Sequence, residues 1–174
     1  MIEYTVKVYS DGDVHWKLDG KHHREGDKPA IEHASGNKYW YLNDKRHREG
    51  DKPAVEYASG TKEWWLNDER HREGDKPAIE HADGSESWWL NGKRHREGDK
   101  PAIERADGNK EWWLNDKRHR ENAAALIHAN GAKQWWLNGE HLTEEQHAAR
   151  TQPAKELTVA DIEKLLGHKV KVVK

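Results

Sequence analysis

The octapeptide His-Arg-Glu-Gly-Asp-Lys-Pro-Ala begins at His23, His47, His71 and His95. A broken copy starts at His119, where Arg120-Glu121 run into Asn122-Ala123. The phrase sets an imidazole, a guanidinium and two carboxylates close together. Such groups can do acid–base chemistry, hold phosphate or bind a metal. The sequence holds 13 His, so metal binding must be weighed. Lys45-Arg46-His47-Arg48 and Lys117-Arg118-His119-Arg120 are basic tetrapeptides of the kind that track an extended anion. Tyr41, Trp65, Trp89, Trp113 and Trp136 recur as a second aromatic series beside a first one. Rows of exposed aromatics stack on sugars, bases or partner side chains.

Each of these readings has a plainer competitor. His47, His71 and His95 lie one per unit; if a unit is two strands wide, equivalents stand ~9.6 Å apart. Zn–N bonds are ~2.0–2.1 Å, so equivalent His cannot share one ion. His22-His23 would diverge from a strand. Metal: none is therefore expected. A catalytic site needs one asymmetric constellation in a pocket, whereas these groups recur in every unit. No nucleophile motif, Walker loop or dinucleotide fingerprint is present. The chain is read as a non-enzyme with no catalytic residues and no cofactor. Glu49, Asp51 and their equivalents neutralise the basic tetrapeptides, so Arg46, Arg48, Arg70, Arg72, Arg94 and Arg96 are secondary contact candidates. The column Tyr41, Trp65, Trp89, Trp113 and Trp136 is the main binding-surface candidate, unless the fold closes over it.

The positioning elements follow from the period. Trp16, Trp40, Trp64, Trp88 and Trp112 step by 24 residues, and Trp135 follows after 23. Leu18, Leu42, Leu66, Leu90, Leu114 and Leu137 keep pace. A fixed period of this size marks a solenoid or array. Within a unit, residues 54–58 read as one strand and 62–66 as a second, aromatic-rich strand. Ser59-Gly60, with counterparts such as Asp83-Gly84 and Asn130-Gly131, reads as a tight type I′ turn between them. Asn67-Asp68 reads as another turn. Gly74-Asp75-Lys76-Pro77 interrupts the returning arm, because Pro lacks an N–H. Alternation puts Trp64 and Leu66 on one face, read as a buried Trp–Leu spine, and Trp65 on the other.

The totals agree with a thin array. Leu, Ile and Val make up only about 14% of the chain, and 36% is charged, a balance usually found in disordered chains. Yet the net charge is only -2 and there are 10 Trp. Each buried Trp covers ~150–250 Å², so a narrow spine suffices. There is no Cys, hence no disulfide or thiolate site. Balanced charge argues against a dedicated nucleic-acid binder. No signal peptide or membrane-spanning run is read, so the cytoplasm is the expected location.

The ends break the period. Residues 1–11 supply an N-terminal capping strand, 12–139 hold six β-hairpin repeats, and 140–174 form a cap. The cap is read as two short helices, opened by Thr143 and Thr158, and a final strand over 169–174.

Trp89-Leu90-Asn91-Gly92-Lys93-Arg94-His95, with Asp107-Gly108 after it, resembles MORN-type repeats. The likeness covers roughly residues 12–139. That family has Gly-x-Gly after the His position, where this chain has Arg96-Glu97-Gly98, and a shorter His-to-Asp spacing. The resemblance implies an elongated hairpin array used as a scaffold, and puts membrane contact among the family's associations. The tail from Leu157 to Val170 resembles tails of small phage-encoded proteins, which would place the chain in a host cytoplasm.

The expectation is an all-β protein: an elongated array of six stacked β-hairpin repeats (period 24) with a small α/β C-terminal cap. Its expected role is a macromolecule-binding scaffold, with a protein partner and, on the phage-like tail, a host protein as target. The alternatives are a ligand-binding module that uses the aromatic column for sugars or nucleotides, and an anionic-surface binder that uses the basic tetrapeptides on lipid or nucleic acid. The sequence leaves the oligomeric state open.

Overall fold

A computed structural model describes residues 3–152 and 157–170. Among the described residues the chain is all-β except for two short helices near its C-terminus, α1 (Glu144–Thr151) and α2 (Val159–Leu166). One antiparallel sheet runs the length of the array as a meander and does not close into a barrel. Thirteen strands follow one another along it, which spans on the order of 58 Å at ~4.8 Å per strand.

Each interior unit forks. In the unit around Trp64, Lys62–Glu63 pair with Val55–Glu56 on one side and with Ile79–Glu80 on the other. The ladder then breaks at Trp64. Its N–H donates to the Ala78 carbonyl, in the main sheet, while its carbonyl accepts from the His71 N–H. Trp65–Leu66 therefore leave the sheet and pair with Glu69–Arg70 in a separate two-stranded hairpin. Similar side hairpins occur at Tyr41–Leu42, Trp89–Leu90 and Trp113–Leu114. The chain returns through Gly74-Asp75-Lys76-Pro77 and rejoins the main sheet at Ile79.

The fork corrects two readings. The proposed Trp–Leu spine fails at Leu42 and Leu66, both 40% exposed. Simple alternation cannot be carried across residue 64, because the residues on its two sides belong to different sheets. The interior is instead Trp40, Trp64, Trp88 and Trp112 packed with Ala30, Ala54, Ala78 and Ala102, which have no exposed surface, and with Val55 and Ile79. The turn chemistry also moves. Ser59-Gly60 belongs to a three-residue loop in which Gly60 donates to the Tyr57 carbonyl and only Gly60 has positive φ, +97°. That is a type I turn closed by a left-handed glycine. The type I′ turn lies at Asn67-Asp68, where φ is +52° and +71°. Asn and Asp tolerate that region better than most side chains.

Register lines up two rows across the main sheet. One runs through Ile31, Tyr39, Val55, Glu63, Ile79, Ser87, Ile103 and Glu111. The other is charged: Glu32, Lys38, Glu56, Lys62, Glu80, Glu86, Glu104 and Lys110.

At the N-terminal end Thr5–Val8 pairs with Val14–Leu18. At the other end Thr143 and Gln146 form a capping box that starts α1, and α1 packs on strands Lys133–Leu137 and Glu140–Leu142. Its buried His147 meets the Arg120 carbonyl through Nε2 at 2.6 Å. α2 starts at a Thr158–Asp161 capping box and ends at Gly167 with φ +69°. Of the strand read over 169–174, positions 169 and 170 carry no strand and 171–174 lie outside the described residues.

Candidate functional site

The arginines of each unit fall into two columns with different neighbours. The guanidinium of Arg48 lies 3.8 Å from the ring centre of Trp40, Arg72 lies 3.7 Å from Trp64, and Arg96 lies 3.6 Å from Trp88. Each reaches back to the preceding loop and forward to its own strand. Arg72 Nε donates to Asp51 at 2.7 Å, and its Nη1 donates to Glu80 at 2.8 Å and to the Pro77 carbonyl at 3.0 Å. Lys76 donates to the same Asp51 at 2.6 Å. The indole N–H of Trp64 donates to the Asp51 carbonyl at 3.1 Å. One loop thus holds the Trp, the Arg and the Lys of the next unit. The arrangement repeats at Asp27 and Asp75. Hydrogen bonds from Arg72 and then Lys76 pull the Asp51 carboxyl down to about 2. Asp75 is likewise lowered to about 2, by Arg96 and Lys100. Asp27 falls below the ordinary carboxylate range for the same reason.

The second column is Arg46, Arg70, Arg94 and Arg118, which alternates with the second aromatic series. Arg46 sits 3.5 Å from the Trp65 ring centre. Arg70 lies between Trp65 at 4.7 Å and Trp89 at 5.1 Å. Arg94 lies 3.8 Å from Trp113, and Arg118 lies 5.0 Å from Trp113 and 5.3 Å from Trp136. Cations over indole faces are attracted by the ring quadrupole. Carboxylates complete the ladder. Arg46 donates to Asp68 at 2.7 Å, and the buried Glu63 accepts from the Trp65 indole at 2.8 Å. At Glu111 burial pushes the carboxyl up, but hydrogen bonds from Arg105 and Arg118 outweigh it, and the net shift is downward. Trp65 is buried, while Tyr41, Trp89, Trp113 and Trp136 are half-buried.

The six candidate arginines are therefore all stacked or ion-paired inside the array. Trp65, Trp89, Trp113 and Trp136 are rungs of one ladder, and Tyr41, Trp65, Trp89 and Trp113 line a row of surface slots. These slots lie between successive Gly-Asp-Lys loops, the last of them between the loop at Gly98 and Glu121-Asn122, with volumes of about 440, 500, 510 and 360 Å³ from the N-terminal side. The second slot is floored by Trp64, Trp65 and Leu66 and walled by the loops at Gly50 and Gly74. His71 lines it too, and His47, His95 and His119 take that place in the others. Sequence reasoning missed the slots, because Leu66 was assigned to the spine. The signal was present in the period, which carries loop, Trp pair and Leu together.

Histidines serve local roles. His95 Nδ1 lies 3.1 Å from Asn115 Oδ1 of the next unit. His22 and His23 diverge as expected, the first toward Asp44 and the second toward Asn43. His15 Nδ1 lies 3.2 Å from His22 Nε2. Among the described residues no three His, Asp or Glu side chains are placed to hold a metal ion, and no helix is long and apolar enough to cross a membrane. No protein-family model matches the chain, and no curated protein is significantly similar to it.

Proposed function

We propose that this chain is a non-enzymatic scaffold that binds another protein along its length. The supporting observation is the row of four equivalent slots, repeated at the period of the sequence. A catalytic pocket is one asymmetric constellation; a row of like slots suits an extended partner. Tyr41, Trp65, Trp89 and Trp113 contribute to the slots, so the aromatic series stays part of the binding surface. The MORN-like phrase fits a scaffold, and the phage-like tail fits an accessory protein that engages a host protein in the cytoplasm. The internal pairing of the arginines weighs against the alternative in which they hold lipid or nucleic acid.

Affinity capture from a bacterial lysate, run beside the double variant Leu66→Ser/Leu90→Ser, tests the reading. A protein retained by the natural chain and lost from the variant is expected. Saturable binding in a glycan or nucleotide screen, with no protein retained by either chain, overturns it.

A further inference from the structure

The slots carry a charge that the array itself does not satisfy. Arg72 and Lys76 are matched by Asp51 and Glu80. Glu73 is left over, with its side chain 87% exposed, and its nearest partner is His71 Nε2 at 3.7 Å. Glu49, Glu97 and Glu121 repeat this, with exposures of 89%, 86% and 70%. Among the described residues none of the four meets an Arg or Lys within salt-bridge distance. Each interior slot therefore pairs an apolar Trp–Leu floor with uncommitted carboxylates at its rim.

A second observation points the same way. The ring of His95 is 10% exposed, and among the described residues its Nε2 has no hydrogen-bond partner. In the tautomer whose Nδ1–H donates to the Asn115 amide oxygen, Nε2 keeps its lone pair and can only accept. A buried acceptor without a donor is costly, so a donor from a ligand would be favoured there. Slot and rim together ask for a cation on a long apolar stem: an arginine or lysine side chain, its stem on Leu and Trp and its head on Glu and His.

Spacing identifies the chain that would carry those cations. Equivalent slots are two strands apart, ~9.6 Å. A polyproline II helix rises ~3.1 Å per residue with three residues per turn, so every third side chain recurs on one face at ~9.3 Å. Over four slots the mismatch accumulates to only ~1 Å. A β-strand presents same-face side chains at ~6.6–6.8 Å, out of step with the slots. Resting on the scaffold reading above, we infer that the row of slots binds a proline-rich, polyproline II segment of a protein with Arg or Lys at every third position.

The test uses the full chain and fluorescently labelled 15-residue peptides in an anisotropy titration. One is Arg-Pro-Pro repeated; one has the same composition with the arginines clustered; one is Glu-Pro-Pro repeated; a single-stranded oligonucleotide is the fourth probe. Several slots engaged at once should favour the periodic peptide over the clustered one by about tenfold or more. The quadruple variant E49Q/E73Q/E97Q/E121Q changes only exposed side chains and should lose that preference while its circular dichroism stays unchanged. Equal binding of the periodic and clustered peptides overturns the inference, as does tighter binding of the acidic peptide or the oligonucleotide. No binding of any peptide also overturns it. If the lysate partner is still captured in a Leu66/Leu90-dependent way, that result leaves the scaffold reading standing; if the capture fails too, both fall.

Discussion

Trp64 and Trp16 occupy the same place in the repeat and are held differently. Trp64 is 6% exposed, stacked under Arg72, with its indole N–H on the Asp51 carbonyl. Trp16 is only half-buried; Arg24 lies 3.8 Å over it, but its indole N–H has no acceptor among the described residues. The acceptor in the interior comes from the preceding Gly-Asp loop. Arg24 likewise bonds Glu32 and the Pro29 carbonyl, with no aspartate from an earlier loop. The last copy differs again: Arg120 reaches Asp99, but no Lys joins it, because the phrase breaks at Asn122-Ala123. The comparison teaches that the repeated phrase is a device for joining neighbours. Its Asp serves the following unit, and its Arg and Lys serve the preceding one.

Removing the ring at each place gives the largest contrast. Trp64→Ala should cost about 3–5 kcal/mol, as for a buried aromatic, and Trp16→Ala roughly half of that, read by denaturant unfolding. Loss of the guanidinium comes next. Arg72→Ala should cost about 2 kcal/mol, since Arg72 is 12% exposed but its Asp51 partner is 43% exposed, which screens the pair; Arg24→Ala should cost roughly 1 kcal/mol. Equal costs at the two ends of either comparison would remove the distinction between first and interior units.

Acid should weaken the interior joints. The Asp51 carboxyl is lowered from 3.8 to about 2 in the folded chain. A folded value below the unfolded one means the stabilisation is full above about pH 4 and disappears as pH falls through about 2. Melting temperature should therefore drop across that window, and the double variant Asp51→Asn/Asp75→Asn should flatten the drop. An unchanged slope would show that other carboxylates govern acid unfolding. The smallest effect belongs to Leu66. Because it is 40% exposed, Leu66→Ser should change stability by under about 0.5 kcal/mol, although it removes the floor of a slot.

The hairpins, the period and the start of α1 at Thr143 were legible, because turn residues and aromatic strands recur in one register and the capping box is local. The fork at Trp64 was not legible. Residues 62–66 read as one strand by alternation, and only the Ala78 and His71 partners reveal that the residue serves two ladders. The misplacement of Leu66 and the missed slots follow from that one residue. The turn types were exchanged for a related reason. Ser59-Gly60 looks like a two-residue turn, but the Tyr57–Thr61 hydrogen bond widens the loop to three residues. The Arg72–Asp51 joint spans 21 residues, so composition suggested charge balance without showing which carboxylate meets which cation.

A double-mutant cycle between Arg72 and Asp51 tests most directly whether loops join neighbouring units. Arg72→Met keeps the stem, and Asp51→Asn keeps a side chain suited to φ +54°. Unfolding free energies of the two single variants and the double variant should show a coupling of about 1 kcal/mol, in line with a half-exposed charged pair. Additivity within about 0.3 kcal/mol would contradict the account, leaving the Trp and Ala interior to hold the array alone.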